Sequence, residues 1–108
     1  MRAIKREKIG EMIHRLAAAF VRDEASQASL LTITRVELNE SGKEATVYFT
    51  TLPESGQKAA LKFLERKTKE FQKYVRDESR IGFVPHITFH IDYGERNRQR
   101  LDELSEEN

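Results

Sequence analysis

Lys62, Arg66, Lys69, Lys73, Arg76 and Arg80 recur at spacings of 4, 3, 4, 3 and 4. At about 100° per residue, these six cations fall within roughly a quarter of a helix's circumference. Leu61, Leu64, Phe71 and Val75 fall on the opposite side. The segment therefore reads as a helix that buries an apolar stripe and shows solvent a row of positive charge. Such a row suits a polyanion, because each phosphate paired with Lys or Arg releases condensed counterions. It is also the pattern of a solvated amphipathic face, which is what most charge runs are. A second set of cations, Arg2, Lys5, Arg6 and Lys8, opens the chain and is expected to reach the same ligand.

Other residues that could do chemistry point away from catalysis. His86 and His90 share a strand face but stand four residues apart, roughly 13 Å at 3.3 Å per residue. One zinc ion, with Zn–N bonds of about 2 Å, cannot take both. His14 falls among polar positions of a helix and reads as a surface residue, and no metal site is expected. Asp92 near His90 imitates part of a triad, but no GxSxG elbow or oxyanion loop accompanies it. Asp92 is expected to cap the structure that follows its strand. The five glycines form neither a GxxxxGK[ST] nor a GxGxxG loop. Tyr48 reads either as a stacking platform for a base or as a half-buried strand tyrosine. The absence of cysteine excludes disulfides, thiolate catalysis and cysteine-bound zinc.

At 108 residues the chain is expected to form one domain. Its net charge is only +1, so the distribution carries more information. Residues 1–22 hold six basic and two acidic side chains, and residues 57–80 hold eight and four. Residues 23–56 hold two basic and six acidic, and residues 81–108 hold three and six. Basic and acidic segments alternate, so a dipolar molecule with one basic side is expected. No apolar run is long enough to span a membrane. The first residues lack the apolar stretch of a secretory signal, and a cytoplasmic protein is expected.

Ile9, Met12, Ile13, Leu16 and Phe20 follow helical spacing and predict a helix over 5–22. A polar loop over 23–29 follows. Leu30–Leu38 is rich in β-branched residues and predicts a strand. Its alternation changes phase between Leu31/Ile33 and Val36/Leu38, the mark of a bulge. Asn39-Glu40-Ser41-Gly42 reads as a turn, with Gly42 free to take positive φ. A second strand over 44–51 points Ala45, Val47 and Phe49 one way and Thr46, Tyr48 and Thr50 the other. The basic helix runs from the Leu52–Gly56 stretch to Asp77 or Arg80. A third strand over 86–91 points Ile87, Phe89 and Ile91 inward. Residues 96–108 are almost all polar and read as a charged tail, either with a short helix around Leu101 and Leu104 that then frays or disordered. The architecture implied is α+β: a three-stranded sheet with helices on one face.

The order helix, strand, strand, helix, strand is that of the type II K-homology fold. Leu31-Thr32-Ile33-Thr34, Val36 and Leu38, followed by Ala45, Val47 and Tyr48, resemble the hairpin of the ribosome-binding factor A family. Val84-Pro85-His86-Ile87-Thr88-Phe89, with Asp92 beyond, resembles that family's last strand. Arg100-Leu101 and Leu104 continue the match, so the resemblance spans nearly the whole chain. It implies a single K-homology-like domain over 1–95 with a charged tail over 96–108. It further implies binding to the small (30S) ribosomal subunit and its 16S rRNA, help in rRNA maturation, no enzymatic activity and no cofactor. The chain departs from the family in places. The K-homology GxxG loop is absent, as in the family. Where the family has a small-residue kink in the second helix, this chain has Lys67-Thr68-Lys69; a kinked helix is expected, with a break there mild enough to keep the basic row in phase. The family's following arginine is Gln72 here, and its arginine before the proline is Gly82, with Arg80 nearby. An Asp-Pro step is missing around Glu24-Ala25.

The expected activity is binding without catalysis by a monomer, with no membrane and no small-molecule substrate. Lys62, Arg66, Lys69, Lys73, Arg76 and Arg80 are the expected phosphate contacts. A protein–protein module that offers the same stripe to an acidic partner fits the same residues. A small hydrolase would need a concave polar site that this sequence does not advertise.

Overall fold

The computed structural model describes residues 1–24 and 30–94. Helix α1 spans Ala3–Glu24, strands β1 and β2 span Leu30–Leu38 and Glu44–Leu52, helix α2 spans Gln57–Glu78, and strand β3 spans His86–Ile91. Each element expected within these residues is present. Helix α1 runs on through Asp23 and Glu24, which were expected to begin the loop; neither Gly nor Pro stops it there. The remainder of that loop, the expected boundary at 95–96 and the short helix around Leu101 and Leu104 lie outside the described residues.

The β1–β2 connection is tight because Asn39 organises it. Its side-chain oxygen accepts from the backbone N–H of Lys43 at 3.1 Å and of Glu44 at 3.2 Å. Gly42 sits at φ +73°, a conformation that costs glycine little. The two strands pair antiparallel, and the register slips between Ile33 and Arg35. Thr34 is the extra residue of this bulge. It turns Thr34 and Arg35 toward the side of Tyr48 and returns Val36 to the side of Ile33. This accounts for the phase change read in the sequence.

Strand β3 adds to the other edge of β2 in parallel, giving the order β1-β2-β3. Parallel neighbours need a long crossover, and α2 supplies it. Ala45, Val47, Phe49, Ile87 and Phe89 are buried against Ile13, Leu16 and Phe20 of α1 and Leu64, Phe71 and Val75 of α2. Thr46, Tyr48 and Thr50 are only half-buried, and His86, Thr88 and His90 are exposed. Both helices therefore cover one sheet face and leave the other open, as the alternation predicts. Phe71 ties the layers together, with ring centroids 5.3 Å from Phe20 and 5.8 Å from Phe89 in tilted geometry. Such pairs add about 0.5–1.5 kcal/mol beyond area burial.

Candidate nucleic-acid interface

As expected, no full break interrupts Lys67-Thr68-Lys69, for α2 is one continuous helix of 22 residues. Neither Gly nor Pro interrupts its ladder, and the Thr68 hydroxyl donates back to the Leu64 carbonyl at 2.9 Å, a bond that at most bends a helix. The stripe therefore keeps its phase. Lys62, Arg66, Lys69, Lys73 and Arg76 are all exposed, while Ala60, Leu64, Phe71 and Val75 are buried. Lys62, Arg66, Lys69 and Arg76 form no ion pair with another described residue. Lys73 does, reaching Asp77 at 2.9 Å. Exposed Glu65 and Asp77 flank the stripe, so the face is less purely basic than its central row. Exposed Lys58 was missed in the sequence reading. It lies one turn before Lys62 on the same side, and its i, i+4 spacing is the signal that finds it.

Arg80 is not part of the helix. The Ser79 hydroxyl donates to the Val75 carbonyl at 2.5 Å, and Ser79 takes an extended conformation (φ −130°, ψ 168°). The chain leaves the helix axis there and carries Arg80 toward the start of α1. Arg80 comes together with Lys5 and Lys8 around a pocket whose interior includes Ile9, Met12 and Ile81. The amino-terminal cations thus divide. Lys5 and Lys8 join the end of the α2 row, whereas Arg6 lines a separate groove between α1 and β1 with Arg35, Glu7, Glu11 and Glu37. Arg2 is exposed and belongs to neither set. Helical spacing explains the split: Lys5 and Lys8 lie on one flank of α1, and Arg6 lies a further 100° round.

On the open sheet face the charges are held by one another, although Nε and Nη2 of Arg35 are buried without a hydrogen-bond partner. The Arg35 guanidinium lies 3.8 Å from the centroid of the Tyr48 ring and pairs with Glu37. Its Nε is 3.6 Å from Asp92, close enough for attraction but beyond hydrogen-bond range. The Thr34 hydroxyl donates to Asp92 at 2.6 Å. Asp92 also accepts from the Gly94 N–H at 2.8 Å, the capping contact expected of it. Tyr48 therefore has one ring face occupied, which favours the structural reading over a base platform. His14 is not a loose surface residue: its Nε2 lies 3.1 Å from the Ile33 carbonyl and ties α1 to β1. Among the described residues, no group of three His, Asp or Glu side chains could hold a metal ion.

Residues 5–105 match the family model described as Ribosome-binding factor A. The chain belongs to the ribosome-binding factor A family. The ribosome-binding factor A of Geobacter metallireducens is 29% identical over 94% of this chain and 92% of its own length. That of Geotalea uraniireducens is 30% identical over 92% of this chain and 87% of its own. Among solved structures, the fold is similar to the crystal structure of ribosome-binding factor A from Thermus thermophilus. The TM-score is 0.70 at 21% identity, covering 80% of this chain and 94% of the other. A Thermus thermophilus ribosome-binding factor A fitted into a map of its 30S complex is similar at TM-score 0.65 and 23% identity, covering 75% and 88% of the two chains. The family's fold is thus present here with an unbroken second helix.

Proposed function

We propose that this chain binds the small ribosomal subunit during its assembly, contacts 16S rRNA and assists its maturation by binding alone. The RNA-binding unit is residues 1–95, acting as a cytoplasmic monomer. The observation that carries this reading is the run of exposed cations on α2, four of them without an ion pair among the described residues. An unpaired cation gives up only water to meet a phosphate, whereas a paired one must first lose its partner. A family member from Thermus thermophilus has been placed in a 30S complex, which supports the same partner here. Among the described residues no helix is long and apolar enough to cross a membrane. Phosphate contacts set affinity and orientation without reading sequence, so the α2 face accounts for attachment to RNA rather than for the choice of site.

Sedimentation of the purified protein with ribosomal particles tests the reading. It is expected to travel with free small subunits and not with assembled ribosomes, and added salt is expected to release it. Absence from the small-subunit fraction at low salt would overturn the proposal.

A further inference from the structure

The pocket between the first turns of α1, the β1–β2 turn and the segment after α2 has a volume of about 630 Å³. That lies within the roughly 300–1,000 Å³ usual for small-molecule sites. Its interior is apolar, its rim carries Lys5, Lys8 and Arg80, and no acidic side chain lines it. Phe83 stands at the rim with 59% of its surface exposed, so its ring is available for stacking. A Cβ on Gly82 would meet nothing within 4 Å, so the space beside the backbone there is open. Three cations around an apolar interior fit a group that is flat and apolar in its body and anionic at its ends. A nucleotide is such a group.

We propose that this pocket takes an unpaired nucleotide of the bound RNA, with its base beside Phe83 and its flanking phosphates on Lys5, Lys8 and Arg80. The inference rests on the reading that the chain binds RNA, and it adds a base contact to a surface otherwise made for phosphates. Paired RNA hides its base faces in the stack, whereas bulges and loops splay them out onto aromatic side chains. Arg80 follows directly from the α2 row, so a strand tracking that row meets the pocket next. An acidic peptide would also satisfy the rim charges, but its carboxylates bring no flat face to stack on Phe83.

Fluorescence anisotropy with two hairpin RNAs tests the proposal, one with a fully paired stem and one with a single unpaired nucleotide in that stem. The wild-type protein is expected to prefer the second. Phe83→Ala is expected to weaken binding of that hairpin by about tenfold, within the range for loss of one base–aromatic stack. Its binding to the paired hairpin is expected to stay unchanged. Gly82→Leu, which adds bulk to the pocket wall next to Phe83 and keeps all three cations, is expected to remove the preference and leave the salt dependence as it was. Equal binding of both hairpins by the wild type would overturn the pocket assignment and leave the RNA reading standing. Binding of neither hairpin would overturn both. Loss of small-subunit binding by Phe83→Ala with hairpin binding intact would assign the pocket to a ribosomal protein and overturn the nucleotide proposal.

Discussion

The outer face of α2 and the open face of the sheet are both solvent-facing and both charged, yet they hold their charges differently. On the sheet, Arg35 is shared among Glu37, Asp92 and the Tyr48 ring, and Thr34 anchors the same carboxylate. On α2, only Lys73 of the central row is paired among the described residues. A charge held in this way is part of the fold, since a new ligand would have to displace the carboxylates and ring that already hold it. An unsatisfied charge costs little to leave in water and little to move onto a phosphate. Exposure alone therefore does not mark an interface; exposure without an internal partner does.

The two faces should respond in opposite ways to mutation. Replacing Arg66, Lys69, Lys73 and Arg76 together with glutamine removes about four phosphate contacts, which together contribute a slope near −3 in log K against log salt. Affinity for small subunits is expected to fall by roughly three-hundredfold at 0.15 M salt. Thermal unfolding should barely change, because surface substitutions usually stay within about ±0.5 kcal/mol. A titration across salt concentrations checks this, and unchanged affinity in the folded variant would reduce the row to a solvated face.

Arg35→Gln should do the reverse. It removes the cation from the Tyr48 ring and from two carboxylates, at a cost of about 2 kcal/mol. The unfolding midpoint is expected to drop by several degrees, with affinity for small subunits unaltered. A weaker complex at equal stability would mean that the sheet face also meets the ligand.

Lys58→Gln tests the extra turn of the row. A single lost contact should lower the salt slope by about 0.7–0.9 and weaken binding about fivefold at 0.15 M salt. An unchanged slope would end the interface at Lys62. The mildest change is Asp77→Asn, which frees Lys73. The pair is exposed at i, i+4 and is worth only about 0.3–0.5 kcal/mol, so binding should tighten about twofold with no loss of fold. Weaker binding would show that Asp77 contributes to the contact.

Most of the fold was legible in the sequence because its signals are local and periodic. Alternation in Ala45, Val47 and Phe49 and in Ile87 and Phe89 assigned the sheet's inner face correctly. The bulge could be read from the phase change at Ile33 and Val36. The α2 row was legible for the same reason. What was not legible depends on the end of an element or on contacts distant in sequence. Arg80 matched the helical period, but the backbone turns extended at Ser79 and ends the helix just before it. Lys5, Lys8 and Arg6 are neighbours in sequence, yet the packing of α1 sends Arg6 into another groove. The attachment of His14 to Ile33 needs two elements to be docked, and no spacing rule contains that. The pocket beside Phe83 was invisible because its walls come from three separate segments.

Helix α2 is the connection between two parallel strands, and this placement ties ligand binding to the whole molecule. A helix at a chain end can fray and re-form without disturbing what lies behind it. Here Phe71 packs against Phe89 of β3 and Phe20 of α1, so loosening the helix loosens the strand that completes the sheet. Holding its outer face should therefore slow amide exchange in β3, on the far side of the core, and raise the resistance of the whole domain to unfolding by mass action.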